Sequence, residues 1–359
     1  MKIVILGENG SVHIQKWIGA IANVAEVELH VISFDRGVRF PNVTYHALRK
    51  HTGTKLDYIL NVFLVRALIR KIKPDLIHAH YATSYGFLAS FTGFHPLIIT
   101  GWGADIFDSP KNPFMKALLV NSFKKADGIS VLSEITKEEM KKLTNKQVHL
   151  IPFGVDITKF APQQSKSDAV IRIGTVRTLA EKYGVEYLIR GFAKVSNKYP
   201  LCQLEIVGDG PLRVSLGQLC KDLGVHEKVV FHGYVNQNDS FEKYIAILGS
   251  FDVFAILSIL DSETFGVAAV EASACAIPVI ATRVGGLPEV ISEESTGILV
   301  APKNVEETAN ALERLICDKQ LRLDMGANGR RKVERLYNWS ANVAQMIDLY
   351  KVTIQNHKK

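Results

Sequence analysis

Short apolar runs recur along the whole chain, and amphipathic segments of roughly 10 to 20 residues separate most of them. In the first half the predicted strands are Lys2–Leu6, Val27–Ser33, Val43–Ala47, Leu76–His80, Leu97–Thr100, Gly128–Leu132 and Val148–Ile151. In the second half they are residues 170–176, 202–208, 229–234, 253–257, 278–282 and 297–300. Strands that alternate with helices predict an α/β fold, in which parallel sheets are covered by helices on both faces.

The length of the chain, 359 residues, suits two domains. The same alternation of strand and helix runs through both halves, with a polar stretch at residues 163–169 between them. We therefore predict a first domain of residues 1–162 and a second of residues 163–338. Two facing doubly wound domains would form a ligand cleft at the ends of their strands.

Composition indicates a soluble globular protein, with 47% hydrophobic and 22% charged residues. The net charge of +7 lies entirely in residues 1–162, which contain 20 Lys and Arg against 13 Asp and Glu. A positively charged first half favours binding to an anionic membrane surface or a phosphorylated acceptor, although lysines scattered over a solvated surface would give the same net charge. Four cysteines without paired spacing favour a reducing compartment, so we expect a cytoplasmic protein, either free or peripheral on the inner face of the membrane.

Two segments raise the question of membrane contact. Residues 76–104 contain no Lys, Arg, Asp or Glu, but His, Pro, Gly and Ser/Thr interrupt the run, which favours strand, helix and strand in a buried sheet. Residues 54–73 form an apolar helix that ends in Arg66, Arg70, Lys71 and Lys73. This pattern fits either a helix lying on an anionic membrane or a crossover helix with a solvated end.

The chemistry is concentrated in residues 253–290. A buried strand is followed by Glu263, by a small-residue helix from about Gly266 to Ala276 that contains Glu271, and by Pro278. The backbone N–H groups at the start of a helix favour a phosphate, and nearby carboxylates accept hydrogen bonds from hydroxyls. Phosphate and many hydroxyls together describe a nucleotide sugar. Two surface glutamates beside an ordinary crossover helix would show the same spacing.

This stretch resembles the donor-site signature of family-4 retaining glycosyltransferases of the GT-B fold. The matching residues are Glu263, Thr264, Phe265, Gly266, Glu271, Ala272, Gly285, Gly286 and Glu289. Ala276 departs from the pattern, since the family usually has Gly there. The resemblance implies two facing Rossmann-like domains and a C-terminal crossover helix, residues 339–359, that packs back on the first domain.

The resemblance also implies roles in donor binding. Arg177 and Lys182 follow a strand, and two cations there can neutralise a leaving nucleoside diphosphate, although Tyr183 is inserted before Gly184. Glu263 is expected near the transferred sugar and Glu271 near the ribose. The catalytic residues implied are Arg177, Lys182 and Glu263. The donor-binding residues implied are Gly10, Gly233, Tyr234, Val235, Thr264, Phe265, Gly266, Val267 and Glu271. Among them, backbone groups at the strand end of Gly233, Tyr234 and Val235 are implied to read the nucleobase.

On the acceptor side the resemblance implies three residues. Trp102 occupies a position where many members have a His, so any catalytic role of that His does not carry over. Trp102 would shape the acceptor pocket by stacking on a sugar ring, or would simply pack in the cleft. Asp105 matches an acidic position suited to an acceptor hydroxyl, and His13 lies on the helix after the loop that contains Gly10.

The expected function is retaining transfer of a sugar from a nucleoside diphosphate sugar, most simply a UDP-sugar, to a hydroxyl of a glycan or lipid-linked acceptor. Cell-surface polysaccharide biosynthesis is the expected setting. The sequence has no Asp-x-Asp motif and no His/Cys cluster, so we expect neither a metal nor another cofactor, and no nucleic-acid partner. The alternatives are a non-catalytic nucleotide-sugar binding subunit and a nucleotide-sugar epimerase of the same fold.

Overall fold

All thirteen predicted strands are present in the computed structural model, which describes residues 1–163, 170–235 and 240–358, and their ends agree with the prediction within one residue. The strands are β1 Lys2–Leu6, β2 Glu28–Ser33, β3 Val43–Ala47, β4 Leu76–His80, β5 Leu97–Gly101, β6 Gly128–Val131, β7 Val148–Leu150, β8 Ile171–Val176, β9 Cys202–Val207, β10 Val229–Gly233, β11 Val253–Ile256, β12 Val279–Thr282 and β13 Gly297–Val300.

Two parallel sheets contain these strands. The first has the order β3-β2-β1-β4-β5-β6-β7 and the second the order β10-β9-β8-β11-β12-β13. In each sheet the chain winds outwards in one direction and then returns to the centre to wind outwards in the other. The strand order therefore reverses between β1 and β4 and between β8 and β11, which are the points where doubly wound sheets bind their ligands. The predicted doubly wound α/β class is confirmed.

Helices connect most of the strands. The α-helices are α1 Val12–Ala22, α2 Leu56–Leu60, α3 Val62–Ile72, α4 Gly86–Ser90, α5 Ala104–Phe107, α6 Pro113–Lys125, α7 Glu134–Lys141, α8 Val185–Ser196, α9 Arg213–Asp222, α10 Phe241–Gly249, α11 Val267–Ala274, α12 Leu287–Val290, α13 Val305–Cys317, α14 Lys319–Leu336 and α15 Trp339–Lys358. A π-helix spans Tyr81–Tyr85, and 3-10 turns span Ser109–Lys111, Glu181–Tyr183 and His226–Lys228.

Each sheet has its own apolar core. Val4, Ile77 and Ile99 belong to the core of the first sheet, and Leu204 and Ile280 to the core of the second. These strands are covered on both faces, which is why their sequences are continuously apolar rather than alternating.

The chain divides into two compact units, residues 1–152 with 341–359 and residues 153–340. The predicted boundary after residue 162 is therefore too late. The segment after Pro152 belongs to the second unit because the Val155 N–H donates to the Tyr337 carbonyl oxygen (2.8 Å), and because Arg330 donates to the carbonyl oxygens of Ile157 (3.0 Å) and Phe160 (2.6 Å). Residues 164–169 of the predicted linker lie outside the described residues.

The two segments considered for membrane contact form helices and strands of the first unit. Residues 76–104 contain β4, the π-helix, α4 and β5, as the interrupted polarity predicts. The apolar segment 54–73 forms two helices, α2 and α3, rather than one, and Lys73 ends α3 in a left-handed conformation. Among the helices that the structure describes, none combines the length and the apolar character needed to cross a membrane.

Ala276, the departure from the family pattern, follows helix α11 with a φ of 56°. The Ile277 N–H donates to the Ala272 oxygen (3.1 Å) and the Ala276 N–H to the Ser273 oxygen (3.0 Å). These two bonds make a Schellman motif, whose left-handed position is usually Gly because a Cβ is strained there. The family's preference for Gly at this position therefore has a backbone cause.

We predict that Ala276→Gly stabilises the protein by about 1 kcal/mol, because glycine adopts the left-handed conformation without strain. A gain of that size should raise the melting temperature by about 2–4 °C in a unit of this size. Thermal unfolding followed by circular dichroism measures it.

Gly224→Ala is the matched control. Gly224 has a φ of 68°, and a Cβ added there would meet no atom within 4 Å. Only the conformational strain should therefore appear, as a loss of about 1 kcal/mol. A lower melting temperature for Ala276→Gly than for the wild type would contradict the strain argument.

Candidate active site

The predicted donor residues lie mainly at the carboxyl edge of the second sheet, around the reversal between β8 and β11. Arg177 directly follows β8, and Ser258 lies two residues beyond the end of β11. The Arg177 Nη2 donates to the Ser258 Oγ (2.7 Å) and to the Glu263 carboxylate. The Ser258 Oγ in turn donates to the Glu263 Oε2 (2.9 Å). The structure thus brings two of the three predicted catalytic residues together.

The Arg177–Glu263 ion pair is largely withdrawn from solvent, with side-chain exposures of 11% and 15%. Burial lowers the pKa of Arg177 to about 10, and the neighbouring Tyr183 opposes that shift. The guanidinium therefore remains charged at neutral pH. Its Nε is buried and has no hydrogen-bond partner among the residues that the structure describes. An unpaired N–H beside a buried positive charge is suited to an anionic ligand.

Tyr183, the residue inserted into the family motif, contacts both predicted phosphate ligands. Its ring centroid is 4.4 Å from the Arg177 Cζ and 4.8 Å from the Lys182 Nζ, within the range of cation–π attraction. Lys182 itself is exposed in the 3-10 turn Glu181–Tyr183. The insertion therefore keeps two positive charges next to one aromatic ring.

Backbone contacts fix the loop of Lys182 against the loop after β11. The Ile259 N–H donates to the Lys182 carbonyl oxygen (2.9 Å). Gly184 has a φ of 63°, and a Cβ on it would lie 1.9 Å from the Leu257 oxygen. Only glycine allows this approach, so the glycine of the motif holds the cationic loop at the strand end.

The segment from Glu263 to helix α11 is held in a similar way. The Gly286 N–H donates to the Glu263 carbonyl oxygen (2.9 Å), which ties the Gly285–Gly286 pair of the family pattern to this segment. Thr264 and Phe265 are buried, and Gly266 is the N-cap of α11 with a φ of 76°. A glycine N-cap has no side-chain oxygen, so the first N–H groups of α11, beginning with Val267, remain suited to an anion.

The second glutamate has a different environment. Glu271 lies within α11 and is 2% exposed, and the Tyr244 hydroxyl donates to its Oε2 (2.5 Å). Glu263 and Glu271 are therefore held by different partners, one by a cation and one by a phenol. The predicted contact of Glu271 with a ribose stays a prediction.

The predicted base-reading residues lie at the end of β10. The Gly233 carbonyl oxygen accepts a hydrogen bond from the Gly208 N–H (2.8 Å), and Gly233 has a φ of 71°. Tyr234 is 69% exposed and Val235 is buried. These residues thus lie at the same edge of the sheet as Arg177, but their contact with a base stays a prediction.

In the first unit, the predicted residues lie at the carboxyl edge of the first sheet. Gly10 is exposed in the turn after β1, and His13 lies in the first turn of α1. Burial and the nearby Lys16 lower the pKa of His13 to about 4, so its imidazole is neutral at physiological pH. The rings of His13 and Trp102 are 5.9 Å apart. The structure therefore groups all three predicted acceptor residues, since Asp105 also accepts the Trp102 N–H.

Trp102 is more buried than its predicted stacking role suggests, with 8% exposure. Its indole is stacked on the Tyr81 ring, with centroids 5.3 Å apart and planes 10° from parallel. The indole Nε1–H donates to the His80 Nδ1 (3.3 Å). Direct stacking of Trp102 on a sugar stays a prediction, and Tyr81 already covers part of the indole.

Asp105 is 3% exposed and binds backbone groups with both oxygens. Its Oδ1 accepts from the N–H groups of Trp102 (3.0 Å) and Gly103 (2.8 Å), and its Oδ2 accepts from that of Ala82 (2.9 Å). Burial raises the pKa of Asp105, and these hydrogen bonds oppose the shift. Asp105 thus holds two loops together, and its predicted contact with an acceptor hydroxyl stays a prediction.

Sequence reasoning missed four residues of these sites: Ser258, Tyr244, His80 and Tyr81. Two of them had a signal in the sequence, since Ser258 and Tyr81 lie just beyond predicted strands, where ligand-binding residues of doubly wound sheets occur. Tyr244 lies on a helix remote in sequence from Glu271, and no sequence signal marked it as a site residue. Within residues 1–163, 170–235 and 240–358, no group of three or more His, Cys, Asp or Glu is arranged to hold a metal ion.

Comparison with known proteins agrees with this arrangement. The family model described as Glycosyl transferases group 1 matches residues 156–332, and the model described as Glycosyl transferase 4-like matches residues 2–133. Together they include both carboxyl edges described above. At the level of fold, the Anabaena protein HepE, solved in complex with UDP, superposes with a TM-score of 0.83 at 20% identity, over 98% of this chain and 100% of that chain.

Three curated relatives are similar in sequence. An uncharacterized glycosyltransferase of Methanocaldococcus jannaschii is 37% identical over 180 residues, which is 50% of this chain and 44% of the relative. The N-acetyl-alpha-D-glucosaminyl L-malate synthase of Bacillus anthracis is 25% identical over 92% of this chain and 91% of its own. The GDP-mannose-dependent alpha-(1-6)-phosphatidylinositol monomannoside mannosyltransferase of Mycolicibacterium smegmatis is 30% identical over 62% of each. The chain therefore belongs to the family-4 glycosyltransferases of the GT-B fold and is a glycosyltransferase.

Proposed function

We propose that the protein transfers a sugar, with retention of anomeric configuration, from a nucleoside diphosphate sugar to a hydroxyl of a glycan or lipid-linked acceptor. Cell-surface polysaccharide biosynthesis on the cytoplasmic face of a membrane is the proposed setting. The observation that carries this proposal is the buried Arg177–Glu263 pair beside the N-terminus of α11. A fixed cation and free backbone N–H groups at one strand edge suit a diphosphate, and a carboxylate next to them suits a sugar hydroxyl.

In the proposed reaction, Arg177 and Lys182 stabilise the negative charge that develops on the leaving diphosphate. The acceptor hydroxyl attacks on the face from which the diphosphate leaves, and a leaving phosphate oxygen takes its proton. Glu263 orients the sugar, and Glu271 binds the ribose. The protein contributes positioning and preorganised charge, and the proposal requires no metal because side-chain cations neutralise the diphosphate.

A UDP-sugar is the proposed donor. HepE was solved with UDP, whereas the M. smegmatis relative is named for GDP-mannose, so the test must compare bases. A thermal-shift panel of UDP-, GDP- and ADP-sugars does so. A ligand at one hundred times its dissociation constant adds about 2.7 kcal/mol of stability. If no nucleotide sugar raises the melting temperature and none is hydrolysed, the proposal is wrong.

The first prediction from this site concerns the two cations. Lys182→Ala and Arg177→Ala should each lower turnover on the order of a hundredfold or more, because a preorganised charge partner of the leaving group is lost. Steady-state kinetics with the donor identified by the panel measures the effect. Lys182→Ala is the cleaner variant, because Lys182 is exposed whereas Arg177→Ala also leaves Glu263 without its ion pair.

Arg190→Ala is the matched control for this pair. Arg190 lies on α8, also in the second unit, and pairs with Glu186 at 2.9 Å with 42% of its side chain exposed. Its removal should change neither turnover nor donor affinity. Near-normal turnover in both Lys182→Ala and Arg177→Ala would remove these residues from the mechanism.

A second prediction separates the two glutamates. Glu271→Gln should weaken the binding of free UDP roughly tenfold to a hundredfold, since a charge-assisted hydrogen bond contributes about 1.5–3 kcal/mol. Glu263→Gln should leave the binding of free UDP unchanged. An amide oxygen can still accept a hydrogen bond from Arg177, and less negative charge then faces the diphosphate. The variant should nevertheless weaken the intact donor and slow transfer. Calorimetric titration of UDP and of the UDP-sugar into both variants measures these effects.

Tyr244→Phe serves as the control, because it removes only the hydroxyl that donates to Glu271. It should weaken the binding of UDP less than Glu271→Gln does. If Glu263→Gln loses as much UDP affinity as Glu271→Gln, both carboxylates serve the nucleotide and the sugar is held elsewhere.

The membrane part of the proposal rests on the surface of helices α2 and α3. Leu56, Ile59 and Leu60 on α2 are about half exposed (49%, 52% and 48%), and Phe63 at the start of α3 is 78% exposed. Their spacing places the α2 residues on one face. Arg70 lies two turns after Phe63 on the exposed side of α3, opposite the buried Val65 and Ile69. Apolar side chains followed by cations fit an anionic lipid surface.

We predict salt-sensitive binding to vesicles of anionic phospholipid, because each Lys or Arg near such a surface contributes about 1 kcal/mol and the attraction is screened by salt. Phe63→Ser and Arg70→Glu should each reduce binding in a flotation assay. Val214→Ser is the control, since Val214 is 84% exposed but lies in the second unit. Equal binding to neutral and anionic vesicles would reject the electrostatic part.

A further inference from the structure

The chain takes an unusual conformation where β4 ends. Tyr81 directly follows His80 with a φ of 67°, in the left-handed region, and begins the π-helix Tyr81–Tyr85. A left-handed conformation costs a bulky L-residue roughly 1–2 kcal/mol. Such residues persist only where their surroundings hold them, and they cluster at ligand sites, as π-helical turns do.

The contacts that hold Tyr81 in place come from the end of the neighbouring strand. Asp105 accepts the Ala82 N–H (2.9 Å) with one oxygen and the Trp102 and Gly103 N–H groups with the other. One buried carboxylate thus joins the loop after β4 to the loop after β5. The result is that the Tyr81 ring lies parallel to the Trp102 indole, 5.3 Å away.

Tyr81 is the more accessible ring of this stacked pair. It is half-buried, whereas Trp102 is 8% exposed. The pair lies at the reversal of the first sheet, at the edge where β1 leads into the loop of Gly10. No Lys, Arg, Asp or Glu occurs in residues 76–104, so the loop after β4 supplies no charge of its own. An uncharged aromatic face with few polar groups suits the apolar C–H face of a neutral ring.

His80 is the polar side chain that holds the Trp102 indole from behind. It is fully buried, and its Nδ1 accepts the Trp102 Nε1–H, so a neutral imidazole carries its proton on Nε2. Burial lowers the pKa of His80 to about 3, which keeps the imidazole neutral. The Nε2 has no hydrogen-bond partner among the residues that the structure describes. A buried donor without a partner is costly, and a hydroxyl group or a bridging water would satisfy it.

We propose that Tyr81, backed by Trp102, is the stacking surface for a pyranose or cyclitol ring of the acceptor. This inference rests on the proposed function, because the ring is taken to be the acceptor of the transfer. It gives Asp105 the role of a positioning residue, which acts through the backbone of the two loops.

Saturation-transfer difference NMR tests the proposal with methyl α-D-glucopyranoside and myo-inositol as cyclic probes and glycerol as an acyclic one. The wild type should saturate the ring C–H protons of a cyclic probe and leave glycerol unaffected. Tyr81→Phe keeps the ring and should retain the signal. Tyr81→Gly removes the ring and relieves the backbone strain, so it should fold while its dissociation constant for the cyclic probe rises on the order of tenfold.

Thermal unfolding of the same samples shows that each variant is folded in both units, and calorimetric titration of UDP separates the two proposals. A wild type that binds UDP but saturates neither cyclic probe overturns the stacking surface alone. Equal signals from Tyr81→Gly and the wild type overturn it as well. A wild type that binds no nucleoside diphosphate or nucleotide sugar overturns the proposed function, while the ring-proton signals still decide whether Tyr81 binds a ring.

Discussion

The ion pair between Arg177 and Glu263 is the interaction on which the second unit's site depends. A buried guanidinium requires a negative partner, and removing one member of such a pair typically costs about 3–5 kcal/mol. The pair joins the loop after β8 to the loop after β11, and Ser258 bonds to both side chains. Under the proposed function, the diphosphate brings negative charge to Arg177 when the donor binds, so the ligand can share the cation with Glu263. Before the donor binds, the site is then stabilised by a contact that the donor partly replaces, which links donor binding to the position of the sugar-orienting carboxylate.

The two units place their candidate ligand-binding residues at the same point of the sheet, but those residues differ in chemistry. In each sheet the strand order reverses, and the loops that follow the central strands meet at the carboxyl edge. The second unit fills that edge with a cation, two carboxylates and helix N–H groups, which are suited to phosphates and hydroxyls. At that edge the first unit groups the aromatic rings of His13, His80, Tyr81 and Trp102, and the carboxylate of Asp105 binds backbone N–H groups of the loops that carry Tyr81 and Trp102. The rings of this cluster are themselves uncharged, because burial keeps both imidazoles neutral.

The sequence predicts the strands well because buried parallel strands are continuous apolar runs, and it predicts the cations and glutamates because they directly follow such runs. It does not predict contacts made by side chains remote in sequence, such as the Tyr244 hydroxyl on Glu271. It also cannot distinguish an acidic residue that faces a ligand from one, like Asp105, that binds three backbone N–H groups, because both are single carboxylates after a strand. The domain boundary was misplaced for a related reason, since the hydrogen bonds of Arg330 to residues 157 and 160 join segments far apart in the chain.

Three departures from the family pattern show how physical context decides what a substitution does. Ala276 leaves the hydrogen bonds of its Schellman motif intact and costs only backbone strain, so it affects stability and not the site. Tyr183 adds a ring that contacts two cations, which keeps both charges at the strand end despite the inserted residue. Trp102 replaces a group that can carry a proton with one that can only donate, and its indole N–H is used on His80. Because His80 is itself buried and neutral, it is suited to binding and orienting rather than to transferring protons. Under the proposed function, the acceptor's proton therefore goes to the leaving phosphate.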